Sequence, residues 1–286
     1  MKLSHAQKAI ALLAFLVATT TMSGCGLVNS LRSKNALNEG ARAYKSGDFQ
    51  EAEQHFKRAL ELSPDTKNAQ FFVARAIHAQ YRPGVEAAPN VAKAREAIAA
   101  YQQVLDKDPT SDEAYNAMVY LYRQIKDEQK EREFLTARAT GVSSPPDKRS
   151  QAMTVLASKE WNCSYQITEQ KEVKTNVKEG DKTFIKYKKP AKEEDFQQAK
   201  KCITDGLKLA EQAISLDANS EQAWSFKTNL LLEAVKLDEM ENNNDAKAEH
   251  QKQVEAAQKR TMELNEINRK KRDAEEEKAK AKENAS

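Results

Sequence analysis

The chain of 286 residues offers few side chains whose types and spacing could do chemistry. Its four histidines are His5, His55, His78 and His250, and none has a cysteine or acid at metal-ligand spacing. Gly84 and Gly180 stand alone, so no glycine loop is available to cradle a phosphate. No Gly-x-Ser-x-Gly elbow is present to expose a nucleophile. Acids are abundant, as they are on any solvated helix face. No catalytic residue, metal site, cofactor or small-molecule substrate is therefore expected. Cys25, Cys163 and Cys202 remain, together with a strip of eight lysines from Lys171 to Lys192 against Glu172, Glu179 and Asp181. The lysine strip could touch lipid headgroups, peptidoglycan or an acidic partner, or could serve only as edge protection against aggregation.

The elements that position these residues begin with a targeting segment. Lys2 and Lys8 precede the apolar run Ala9–Ala18. A bilayer span needs about 20 apolar residues, so this run reads as a signal-peptide core over residues 1–24. Met22-Ser23-Gly24-Cys25 resembles the lipobox of bacterial lipoproteins, with Met22 where Leu is usual. The resemblance implies that Cys25 is acylated, becomes the first residue of the mature chain and ties it to a membrane. Gly26, in place of an Asp that would signal inner-membrane retention, implies the periplasmic face of an outer membrane. No second apolar stretch approaches 18 residues. Two further cysteines in an exported chain point to a Cys163–Cys202 disulfide, stapling the segment that Cys163 opens onto the helix that carries Cys202. The formal net charge is +3, or +1 from Cys25 onward, which excludes broad nucleic-acid binding.

Composition and periodicity indicate helices. Charged residues make up 31%, and the chain has only eight glycines. Phe49, Ala52, Phe56 and Ala59 recur at three and four, one face of a helix, and Pro64 cannot continue it. Ser33–Thr66 resembles the tetratricopeptide repeat, with Gly40, Tyr44, Gly47, Asp48, Phe49, Ala52, Phe56, Ala59, Leu60 and Pro64 in place. Ala36 and Glu39 stand where the family has Trp and Leu. A second block ends at Asp108-Pro109, its excess length expected as a loop over Arg82–Asn90. A third runs from Ser111 to about Thr140 and is degenerate at Lys130.

After the turn-rich break at Gly141–Asp147, a helix is expected over Lys148–Trp161. Cys163–Tyr187 then alternates with a period near two and reads as a β-hairpin or meander, or else as a disordered polar loop. Helical texture resumes at Glu194 and continues to Ile267. The expected organisation is a signal peptide at 1–24, a lipidated linker at 25–32 and three repeats at 33–144. Degenerate repeat-like helices follow at 145–268, with an insertion at 161–193, and a charged tail at 269–286. The fold class is all-α: a tetratricopeptide-repeat helical-hairpin solenoid with a small β-hairpin insertion and a charged C-terminal helical tail.

The resemblance implies a concave surface that binds other proteins or extended peptides. Carrying the family's groove positions across gives Leu37, Tyr44 and Lys45 from the first repeat. The second gives Asn68, Phe71, Arg75 and His78, and the third gives Tyr115, Val119, Tyr122 and Arg123. Leu37 and Ala41 replace two residues of the family's carboxylate clamp, so that ligand is not expected. The implied role is a membrane-anchored envelope scaffold in assembly of outer-membrane or pilus complexes. The alternative is an envelope-acting enzyme, or its accessory subunit, that uses the inserted hairpin.

Overall fold

A computed structural model describes residues 5–283, with side chains from Gly26 onward apart from Glu179 and Glu283. The side chains of the expected signal segment and of Cys25 lie outside the described residues. Two compact units divide the chain, Met1–Glu131 and Arg132–Ser286. The fold is all-α with one small two-stranded sheet, as the residue patterns indicate. Among the described residues, no helix is long and apolar enough to cross a membrane.

In the first unit, α1 (His5–Ser46) and α2 (Phe49–Leu62) form a hairpin, followed by α3 (Ala69–Ala79), α4 (Ala88–Lys107) and α5 (Asp112–Gln124). Gly47 ends α1 with φ of 89°, the left-handed conformation its position calls for. Gly40 sits where a Cβ would lie 2.5 Å from the Phe56 ring, so only glycine lets α1 and α2 close to this distance. Ala52 and Ala59 are fully buried beside it. The two ends of the 34-residue block also meet. The buried Ser33 hydroxyl donates to the Ala59 carbonyl at 2.8 Å and lies 2.7 Å from the Thr66 hydroxyl.

The connection expected over Arg82–Asn90 is shorter than the sequence suggests. Pro89 falls in the first turn of α4, a position where its missing N–H costs nothing, so the helix starts at Ala88. Asn90 closes the remaining loop from within that turn. Its amide donates to the carbonyls of Arg82 and Val85, and its oxygen accepts from the Arg82 N–H. Helix α6 (Glu128–Thr140) follows α5.

The second unit contains α7 (Pro146–Thr168), β1 (Lys174–Glu179), β2 (Lys182–Tyr187), α8 (Glu193–Leu216), α9 (Glu221–Glu241) and α10 (Asn244–Glu283). A single 3-10 turn at Lys171–Val173 precedes β1. On α8, Phe196, Ala199, Ile203 and Ala210 are buried against Ala157, Leu230, Ala234 and Leu237, and Ala213 is buried further along the helix. Helix α10 runs on into the charged tail as far as Glu283, and the described side chains from Arg269 to Lys282 are exposed.

Two expectations for the insertion are corrected. The helix expected to stop at Trp161 continues seven residues to Thr168, so Cys163, Tyr165 and Ile167 are helical rather than strand residues. Only Lys174–Tyr187 forms the β-hairpin, turning at Gly180 and pairing Lys174 with Tyr187 through Glu179 with Lys182. The extra turns of α7 bury polar side chains: Ser164 and Thr168, one helical turn apart, both donate to the Glu233 carboxylate. An apolar-period reading cannot detect such a face. Cys163 and Cys202 are bonded, with Cα atoms 6.1 Å apart, and the link therefore joins α7 to α8 rather than a hairpin to a helix.

Candidate functional site

The described part of the first unit carries an aromatic and cationic ladder on α1, α3, α4 and α5. At one end, Ala41, Tyr44 and Lys45 of α1, Phe56 of α2, and Phe72 and Arg75 of α3 line a depression of about 140 Å³. Arg75 is exposed and spans two rings, with its guanidinium carbon 5.3 Å from the Tyr44 centroid and 5.9 Å from that of Phe71. Below it, Phe56 and Phe72 pack at 5.4 Å, and Phe71 stands 6.3 Å from Phe72 and 6.0 Å from Tyr101. The Phe71 ring is inclined at 57° to Phe72 and 60° to Tyr101, and Phe56 at 32° to Phe72, all within the separations at which aromatic rings attract. The cluster is therefore a rigid apolar floor with a cation held over it.

His78 carries the ladder toward α5. Its Nδ1 lies 3.2 Å from the Tyr101 hydroxyl, and its ring is 5.7 Å from that of Tyr120. Burial, and then the nearby Arg75 charge, hold the His78 pKa below its ordinary value. Burial pushes Tyr101 up to about 12, with Arg75 opposing and Tyr44 adding. At neutral pH the pair is an uncharged imidazole beside a protonated phenol. Arg75 and Lys45 are thus the exposed positive groups at this face, which suits an apolar ligand with some acidic character.

The structure separates the eleven expected groove residues into groups. Tyr44, Lys45, Phe71, Arg75 and His78 come together as described, and Leu37 lies half-buried two turns back on α1. Asn68 precedes α3 with φ of 64°, a conformation asparagine tolerates, and lines a second depression of about 750 Å³ that Phe71 and Phe72 of the ladder also line, with Leu60, Pro64, Lys107 and Thr110. Tyr115 and Val119 are corrected to core positions, at 8% and 9% exposure. The α5 residue that faces outward beside His78 is Tyr120, one position from Val119. Its only sequence signal is an aromatic residue next to the chosen site.

Tyr122 is half-buried. Arg123 is corrected from ligand anchor to structural partner: its Nε and Nη2 donate to Glu131 at 3.1 and 3.0 Å, and Glu131 is 1% exposed. The Arg123 side chain is itself 55% exposed, and a ligand that drew it away would leave Glu131 buried without its cation.

The second unit has a polar cluster that no sequence motif announces. Lys236 donates to Glu169 at 2.8 Å and to Glu233 at 2.6 Å, with the Tyr165 and Tyr187 rings 5.3 and 5.0 Å from its ammonium. Hydrogen bonds from Lys174 and then Lys236 hold the Glu169 carboxyl far below its usual range, at about 2. Tyr187 completes the cluster by donating its backbone N–H to Glu239 and its hydroxyl to Glu169. Every charge here has a partner, so the cluster reads as the clamp that fixes the hairpin base to α7 and α9. Among the described residues, one group of metal-ligating types converges: Glu160, Cys163 and Cys202, with ligand atoms within 4.8 Å. The two sulfurs are bonded to each other, and Glu160 accepts from Arg132 at 2.6 Å.

Comparison with known proteins returns a repeat family. Residues 34–66 match the tetratricopeptide repeat. No curated protein matches the chain. Among solved structures, a TPR repeats protein of Bacteroides fragilis is 15% identical, over 78% of this chain and 93% of that one, with a TM-score of 0.45. MamA of Desulfovibrio magneticus RS-1 is 14% identical, over 80% and 96%, with a TM-score of 0.39. A structure of Pseudomonas aeruginosa pilF is 13% identical, over 85% and 99%, with a TM-score of 0.32.

Proposed function

From a chain that carries a tetratricopeptide repeat at residues 34–66, we propose an envelope-anchored scaffold that holds another protein, or an extended peptide, on the ladder of its first unit. The anchor in this reading is an acylated Cys25, the site is the periplasmic face of an outer membrane, and the role is assembly of outer-membrane or pilus complexes. The repeat supports a protein-binding scaffold. The observation that carries the site is Arg75 suspended over Tyr44 and Phe71 beside an apolar depression. Buried aromatic residues and arginines are the side chains that most often dominate an interface. An exposed cation held over two ring faces is placed to meet an acidic group of a partner that covers the apolar floor.

Two experiments on cells test the two halves of this reading. Metabolic labelling with a fatty acid should mark the native protein and leave Cys25→Ala unmarked; an unlabelled native protein would refute the anchor. A photo-crosslinker placed at Lys45, on the rim of the depression, should capture a discrete protein partner, while one placed at the exposed Lys278 should not. Equal capture at both positions would refute the site.

A further inference from the structure

The β-hairpin is held firmly at its base and is bare beyond it. Tyr187 and Lys174 are tied to Glu239 and Glu169, and Val173 beneath them is 1% exposed. Further out, Phe184 and Ile185 are 49% and 53% exposed, unusual values for bulky apolar residues in a strand. The register places them on opposite faces of the ribbon. Phe184 stands across from Val177, and Ile185 stands across from Asn176. Exposed Lys178, Lys182, Lys186 and Lys188 bracket the pair along the strands.

Apolar groups on both faces narrow the choice of partner. A protein groove receives one face of a two-stranded ribbon and leaves the other in water, so a ribbon shaped for a groove needs an apolar residue on one face only. A ribbon set edge-on into a lipid–water interface has both faces at the boundary, which takes both. Side chains of lysine type set beside aromatic and aliphatic residues suit that boundary, where the cations meet anionic headgroups. The turn Glu179-Gly180-Asp181 carries two acids, which disfavours entry tip-first. Contact is then along β2, whose sequence is Lys-Thr-Phe-Ile-Lys-Tyr.

We propose that this hairpin docks on the surface of an anionic lipid bilayer, with Phe184 and Ile185 entering the headgroup boundary and the surrounding lysines meeting lipid phosphates. The docking surface is independent of any acyl group at Cys25 and of the ladder on the first unit.

The test uses the full chain with Cys25→Ser, with and without Phe184→Trp, so that the difference in emission, over that of the native Trp161 and Trp224, reports from the hairpin itself whatever the apolar segment Ala9–Ala18 does. Vesicles of phosphatidylcholine mixed with phosphatidylglycerol should shift the added indole's emission to the blue; phosphatidylcholine alone should not. Lys178→Glu with Lys182→Glu and Lys186→Glu should remove the shift, and so should high salt. These sites are exposed, so helical circular dichroism and melting should stay as they were. Emission unchanged on the mixed vesicles, or a shift that survives the three charge reversals, overturns the proposal. A shift produced by polyglutamate but not by the vesicles would also overturn it, by identifying an acidic protein as the occupant.

Discussion

Replacing Lys236 with methionine is expected to destabilise the second unit by about 3–5 kcal/mol, the usual cost of removing one member of a buried ion pair. Lys236 is 16% exposed and Glu233 only 2%, so water cannot substitute for the lost ammonium. Thr168 and Ser164 still donate to Glu233, but hydroxyls do not neutralise it. The loss should appear as a lower denaturant midpoint, with the hairpin base loosened first. Lys236→Met combined with Glu233→Leu should recover most of the stability, because the uncompensated charge goes with it. A single variant as stable as wild type would show that the cluster is no clamp.

The same cluster sets an acid dependence. Glu169 has a folded pKa of about 2, below its ordinary 4.5. Between these values the unfolded chain binds more protons than the folded one, so stability is present above about pH 4.5 and lost as pH falls toward 2. Lys236→Met should flatten that loss in part, since Lys174 still holds Glu169 at 2.7 Å.

Reducing the Cys163–Cys202 bond should cost up to about 4 kcal/mol for a loop of this length, by releasing the unfolded chain. The cysteines are 39 residues apart in sequence, while α7 and α8 already pack along the same core. The native helices should therefore keep their circular dichroism under a reductant, while the denaturant midpoint falls. Cys163→Ser with Cys202→Ser should reproduce the effect and be insensitive to reductant. Identical midpoints with and without reductant would show that the bond does not constrain the chain.

Legibility in the sequence followed the chemistry of each contact. The first repeat was readable because its signature residues are the ones that touch: Gly40 against Phe56, Ala52 and Ala59 in the hairpin seam, Gly47 in the left-handed turn. The last two turns of α7 were not readable, because their buried face is Ser164 and Thr168 bonded to Glu233 from a helix 65 residues away. No local pattern encodes that partner. The ladder was half readable. The expected phase picks out Tyr44, Phe71, Arg75 and His78, which lie together, but on α5 packing turns Tyr115, Met118 and Leu121 inward and leaves Tyr120 outside. Arg123 failed for a related reason: its carboxylate partner Glu131 lies eight residues on, across a turn, with nothing in the sequence to mark it as buried.

The central claim is that a partner protein is held by the Tyr44–Arg75 face of the first unit. Its most direct test is a titration of the crosslinked partner against Tyr44→Ala with Arg75→Ala, with melting recorded on the same samples. Hot-spot truncations of at least about 2 kcal/mol each correspond to a loss of tenfold or more in affinity. Arg75 is exposed and Tyr44 half-buried, so melting should move little. Arg123→Ala should do the reverse, lowering the melting point and leaving the affinity of the folded fraction intact. Unchanged affinity in the Tyr44 and Arg75 double variant would contradict the account, because the partner would then be bound elsewhere on the chain.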